Sequence, residues 1–192
     1  MAKHRMIVAI TGASGPIYGI RLLETLRRLG IETHLVMSRS AIVALAHETD
    51  FKLKDVQALA DHVHANDDVA ASLSSGSFRT RGMIVAPCSA KTLGEIASGA
   101  CSTLVSRAAD VTLKERRRLV LLLRETPLHL GHCRNMAAVT EYGAVVMPPA
   151  PAFYARPRTI DDIVNHTVGR ALDLFDLDSG GFTRWGEPPE EA

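Results

Sequence analysis

The chain has 192 residues, 46% of them hydrophobic and 22% charged, with a formal net charge of +1. This length and apolar share fit one globular domain and exclude a disordered, collagen-like or disulfide-stapled protein. The near-neutral balance argues against a dedicated nucleic-acid binder, which carries a strong basic excess. The longest apolar runs, such as Ala41–Ala46, fall short of the ~18–20 residues of a membrane span. The apolar stretch that opens the chain stops after Ile10, before a signal-peptide core forms. Cys88, Cys101 and Cys133 form no Cys-x-x-Cys pair, which fits a reducing compartment, so the expected location is the cytoplasm.

Short apolar runs alternate with helical stretches. Arg5–Thr11 reads as a buried strand, Gly12–Gly15 as a turn, and Ile17–Leu29 as a helix with Ile20, Leu23, Leu26 and Leu29 at helical spacing. Gly30 ends that helix. A second strand is expected at Glu32–Met37, a second helix at Arg39–Glu48, and a short helix at Lys52–Ala60. Asp61–Thr80 reads as the least regular part. The rhythm resumes with a strand at Gly82–Ala86 closed by Pro87, helices at Thr92–Ala100 and Thr103–Arg116, and a strand at Leu119–Leu123. A helix at Leu130–Tyr142 and a strand at Ala144–Met147 follow. Thr159-Ile-Asp-Asp162 resembles a capping box, and the helix it opens carries Ile160, Val164, Val168, Leu172 and Phe175 as one stripe. Strands apolar throughout, separated by helices, indicate an α/β fold with a doubly wound parallel sheet in a three-layer sandwich. The expected division is a domain at 1–177 and a tail at 178–192 lying outside the core.

In such folds ligands bind beyond the carboxyl ends of the strands. Those ends are Gly12–Gly15, Ser38-Arg39, Cys88–Thr92, Arg124-Glu125 and Pro148–Tyr154. Gly12-x-x-Gly15-x-x-x-Gly19 lets backbone N–H groups approach an anion at a helix N-terminus. It is not the Gly-x-Gly-x-x-Gly spacing of a dinucleotide site, and a tight strand–helix turn needing small residues is the lesser alternative. Ser38 and Arg39 stand where NAD binders place an acid, a pair that would suit an NADP 2′-phosphate. Ser89 reads either as part of a phosphate cradle or as a plain N-cap. Cys88 lacks a neighbouring base and reads as an inert strand-end thiol. The run Lys114–Arg118 reads as a solvated helix end. His129 and His132 are three apart on a helix, but no third metal ligand follows at a matching spacing.

Six segments taken in order are similar to the UbiX-type flavin prenyltransferase family: Thr-Gly-Ala-Ser-Gly-x-x-Tyr-Gly (11–19), Glu-Thr-Asp (48–50), Pro-Cys-Ser-x-Lys-Thr-Leu (87–93), Arg-Ala-Ala-Asp-Val-x-Leu-Lys-Glu-Arg-Arg (107–117), Arg-Glu-Thr-Pro-Leu (124–128) and Pro-Ala-Phe-Tyr (151–154). The resemblance runs from Met6 to Trp185, and Pro16 stands where a small residue is expected. It implies that Gly12, Ala13, Ser14, Ser38, Ser89, Ala90, Lys91, Thr92 and Arg124 hold FMN. Tyr154 and Arg170 would hold dimethylallyl phosphate, with Arg107 and Lys114 near its phosphate. Ser14, Glu48, Lys114 and Glu125 are the implied catalytic groups. The implied reaction alkylates reduced FMN at N5 and closes the five-carbon unit onto C6, with no metal ion. The product serves a UbiD-type decarboxylase, and the implied assembly is a homododecamer.

Two other readings are weighed against it. An FMN-dependent cysteine decarboxylase would carry a histidine after the first strand and Pro-Ala-Ser-Ala-Asn-Thr. This chain has no histidine there and has Pro-Cys-Ser-Ala-Lys-Thr. A non-catalytic flavin carrier would bind FMN without turnover.

Overall fold

A computed structural model describes residues 5–180, 182 and 184–186. Six parallel strands form one sheet in the order β3-β2-β1-β4-β5-β6. They are β1 (Arg5–Ile10), β2 (Glu32–Met37), β3 (His62–His64), β4 (Gly82–Cys88), β5 (Arg118–Leu123) and β6 (Val145–Val146). The helices are α1 (Pro16–Arg28), α2 (Arg39–Glu48), α3 (Leu53–Gln57), α4 (Ala90–Ser98), α5 (Leu104–Lys114), α6 (Leu130–Glu141) and α7 (Ile160–Asp173). No described helix is long and apolar enough to cross a membrane.

Side-chain alternation along the strands builds two cores. Met6, Val8 and Ile10 face α1, α2, α3 and α7, while Ile7 and Ala9 face α4, α5 and α6. The same alternation runs through β4 and β5, which is why both read as unbroken apolar runs. Each fully buried leucine of these layers, such as Leu23 or Leu93, contributes ~1.5–3 kcal/mol over its exposed state.

The helix ends follow their local chemistry. Pro16 occupies the first helical position of α1, where its missing N–H costs nothing. Gly19 lets α1 sit close on the sheet: a Cβ there would meet the Ala86 carbonyl oxygen at 2.4 Å. Thr159 caps α7, with Asp162 completing the capping box as expected.

Three expectations are corrected. β4 does not stop before Pro87 but runs to Cys88, with a register shift against β5 between Val85 and Cys88. The Asp61–Thr80 stretch, read as irregular, contains β3, held by pairing with β2. Phe175 stays buried, although it lies just beyond the last residue of α7.

The described tail residues dock on α7. Arg184 pairs with Asp173 at 2.6 and 2.7 Å, and Phe182 lies edge-on to His166. Phe182 also occupies the space a Cβ on Gly169 would need. Residues 181, 183 and 187–192 of that segment lie outside the described residues.

Candidate functional site at the carboxyl ends of the strands

β1 and β4 are neighbours at the point where the strand order reverses, and their loops are tied together there. Thr11 Oγ1 donates to the Pro87 carbonyl at 2.8 Å and accepts from the Ser89 N–H at 2.8 Å. The Arg124 N–H donates to the Cys88 carbonyl at 3.0 Å, which adds the loop after β5. In the glycine loop, Gly12 is required by close approach, because a Cβ would lie 2.3 Å from Ser40 Cβ.

Two capped helices start at this rim. Ser38 Oγ accepts from Ala41 N at 3.1 Å at the start of α2. Ser89 Oγ accepts from Thr92 N at 3.2 Å at the start of α4 and donates to Thr92 Oγ1 at 3.1 Å. Ser89 is therefore an N-cap, and it also lines the cavity between the loops.

That cavity measures about 400 Å³, within the ~300–1,000 Å³ range of small-molecule sites. Gly12, Ser38, Ser89, Ala90, Lys91 and Thr92 form its floor and one side, and Glu125 faces it from the loop after β5. Lys91 holds Glu95 at 2.8 Å, so its ammonium is already engaged. Hydroxyls, helix N-termini and a glycine turn make a donor set suited to a phosphorylated, ring-bearing ligand.

Beside the cavity, Glu48 at the end of α2 reaches back to the start of α1. Its Oε2 accepts from Ser14 Oγ at 3.1 Å and from the Gly15 N–H at 2.8 Å. Gly15 sits at φ 97°, a left-handed conformation that aims its N–H at the carboxylate. Helix α1 has no side-chain cap of its own, so Glu48 fills that role from elsewhere in the chain. Tyr18 stands close by. Burial raises its phenol above the usual value, against a hydrogen bond to Thr167 and the Arg124 charge.

A family model described as Flavoprotein matches residues 1–172. The flavin prenyltransferase UbiX of Thauera aromatica is 59% identical over 181 residues, covering 94% of this chain and 93% of that protein. The chain belongs to the UbiX flavin prenyltransferase family. The Escherichia coli K12 flavin prenyltransferase UbiX is 59% identical over 184 residues, covering 94% of this chain and 97% of that protein. The crystal structure of AnUbiX (PadA1) in complex with FMN and dimethylallyl pyrophosphate superposes with a TM-score of 0.95 at 57% identity, covering 97% and 99% of the two chains. A dodecameric FMN-dependent UbiX-like decarboxylase from Escherichia coli O157:H7 superposes at 0.93 with 51% identity, covering 95% and 100%. The cysteine decarboxylase TvaF, at 18% identity and 0.64, shares the fold alone.

Within this UbiX-family chain the expected site residues fall into two groups. Ala13, Ser14, Arg124 and Glu125 belong to the strand-end loops, with Ala13 N–H donating to the Thr11 carbonyl at 2.9 Å, Glu48 ends α2 and bonds Ser14, and of these Glu125 lines the cavity. Arg107, Lys114, Tyr154 and Arg170 do not line the cavity. Arg107 pairs with Asp110 at 2.7 Å on α5. Lys114, at the far end of α5, pairs with Glu115 at 2.5 Å. Helix α5 starts beside the cavity, where Thr103 and Val105 line it, so Lys114 lies ~15 Å further along the axis. Tyr154 Oη is 3.0 Å from His166 Nε2, and its ring meets Trp185 edge-on at 5.2 Å. Arg170 pairs with Asp173 at 2.6 Å, the carboxylate that also holds Arg184.

Cys88 is buried, and desolvation pushes its thiol up to about 12, as expected of an inert strand-end cysteine. Asn66, Thr103, Val105 and Ser40 line the cavity without having been expected there. Asn66 also caps α5, its carbonyl accepting from Leu104 N at 2.7 Å and its Oδ1 from Val105 N at 3.1 Å.

Proposed function

We propose that this chain transfers a dimethylallyl group from dimethylallyl phosphate to N5 and C6 of reduced FMN, with FMN as the prenyl acceptor. The observation that carries the reading is the Ser14–Glu48 pair at 3.1 Å, set against a strand-end cavity with the donor set a flavin phosphate and ring require. Gly12, Ala13, Ser38, Ser89, Ala90, Lys91, Thr92 and Arg124 would hold FMN. The reduced flavin supplies the nucleophile when bound. Glu48, through the Ser14 hydroxyl, accepts a proton at the reacting edge, and Glu125 passes a proton to the departing phosphate. Cations preorganised around that phosphate lower the barrier to its departure, arginine being suited to two-point phosphate contact.

Arg107, Lys114, Tyr154 and Arg170 do not line the cavity of their own chain, and in an oligomer a second copy would supply those of them that reach the donor. A homododecamer is the assembly we propose, supported by the dodecameric relative. Residues 1–177 form the flavin-binding domain in this reading, and 178–192 a tail outside the core. The product passes to a UbiD-type decarboxylase, and the enzyme works in the cytoplasm, in keeping with its three free cysteines.

A cysteine decarboxylase is disfavoured because the first loop, Gly12–Gly19, holds no histidine. Anaerobic incubation with reduced FMN and dimethylallyl phosphate, followed by mass analysis of the bound flavin, tests the proposal. A flavin heavier by one five-carbon unit is expected. Unchanged FMN bound at full occupancy would leave only a carrier.

A further inference from the structure

At the opposite end of β2, four side chains that chemistry links to metals share one face of the sheet edge. Glu32 and His34 alternate along β2, His62 and His64 along β3, and the register sets His34 directly across from His62. All lie on the α5 side, beneath Phe78, whose ring meets His34 edge-on at 5.0 Å. Glu32 Oε1 is 3.3 Å from His34 Nε2 and 3.4 Å from His62 Nε2, and the three ligand atoms lie within 4.8 Å of one another.

We propose that Glu32, His34 and His62 form a binding site for a zinc-class divalent ion that pins the short edge strand β3 to the sheet. A tetrahedral ion with bonds of ~2.0–2.1 Å needs ligand atoms roughly 3.3–3.4 Å apart, the separations Glu32 already keeps from both rings. Two imidazoles and one carboxylate are the donor set of zinc and its late first-row neighbours, not of magnesium or calcium.

The surrounding groups have the arrangement that orients metal ligands. His34 Nδ1 is 3.0 Å from His64 Nε2, so with Nε2 on the ion the Nδ1–H donates to His64. Arg5 Nε donates at 3.1 Å to Glu32 Oε1, the same oxygen that faces both rings, and holds it in place. His34 is buried, whereas the His62 side chain is 52% exposed, which gives the ion a way in and a fourth position open to water.

Glu32 and His34 precede Ser38 by six and four residues along β2, which puts the ion roughly 13–20 Å from the flavin cavity. The ion therefore acts on the fold, not on prenyl transfer. Strand β3 has only three residues and one neighbour, so a bond across β2 and β3 anchors the least supported edge of the sheet.

The test uses the full chain loaded with FMN, whose visible spectrum reports an intact fold. Cobalt(II) is titrated while its ligand-field bands are read, and zinc is then added in competition. One ion per chain, tetrahedral bands and displacement by zinc are expected, with a rise in melting temperature on adding zinc. His64→Ala should weaken binding ~10- to 100-fold, and His62→Ala and Glu32→Gln should weaken it further. His129→Ala, which breaks the other histidine pair (ring centroids 3.6 Å apart), should leave it unchanged. Absence of stoichiometric binding overturns the site. So does binding that survives His62→Ala and Glu32→Gln, or that is lost with His129→Ala.

Discussion

Thr11 and Ser89, on loops 78 residues apart in sequence, share one hydrogen bond inside the protein: the Ser89 N–H donates to Thr11 Oγ1, which in turn donates to Pro87. That hydroxyl is the rivet between the two halves of the sheet at the cavity floor. Thr11→Val keeps the shape but leaves a buried N–H without its acceptor, a cost of ~1–3 kcal/mol. A lower denaturation midpoint and weaker FMN binding are expected. Equal FMN affinity in the two proteins would mean the loops hold their spacing without it.

Glu48→Gln keeps an oxygen for the Gly15 N–H and so keeps the loop in place. FMN affinity should be unchanged, while prenyl transfer slows by ~10²–10⁴, the worth of a positioned base. Single-turnover kinetics beside a flavin titration separates the two effects. Lost flavin binding would make the carboxylate a scaffold and not a base.

Gly12→Ala pushes a Cβ against Ser40 Cβ, and overpacking of this kind costs ~1–3 kcal/mol. Flavin binding should fall along with stability. Pairing it with Ser40→Gly removes the clash and should recover part of both, which thermal melts and FMN titration of the double variant would read.

Arg170→Ala leaves Asp173 still paired with Arg184, so stability should change by no more than ~0.5 kcal/mol. If Arg170 contacts the donor phosphate, the KM for dimethylallyl phosphate rises ~10- to 150-fold at fixed salt. An unchanged KM would reduce it to a surface ion pair.

Asp173 also sets an acid limit. Partial burial opposes its ionisation, but hydrogen bonds and charge from Arg184 and Arg170 outweigh that and hold its carboxyl below the ordinary aspartate range. As the pH falls through the usual carboxylate range, the unfolded chain takes up the proton first. Stability from this group is therefore present above that range and lost as the pH drops through the folded value. Asp173→Asn should lower the melting temperature near neutrality and flatten its dependence below about pH 4.

Strands β1 and β5 were legible because both faces are buried, so the apolar run is nearly unbroken, and β2 (Glu-Thr-His-Leu-Val-Met) was legible from its apolar second half. The caps at Ser89 and Thr159 were legible because they act locally, whereas Ser38, read only as a ligand-binding residue, also caps α2. Strand β3 was not: His-Val-His has no apolar run, and only its pairing with β2 makes it a strand. For the same reason Asn66 escaped notice as a cavity residue, since its place follows from β3. Thr103 carries a capping signature with Ser106, but nothing local tells that α5 begins beside the flavin loops. The place of Lys114 at the far end of α5 was equally hidden, because motif order along a chain says nothing about distance in space.

Gly19 makes the height of α1 above the sheet a matter of one missing methyl group. Any side chain there lifts the helix off the Ala86 carbonyl, and Ser14 and Gly15, at its leading end, move with it away from Glu48. A relative with every polar residue of the cavity in place but alanine at this position would bind its ligand and turn over slowly. Its defect would lie in mechanical alignment, where a search of chemically active residues would not look.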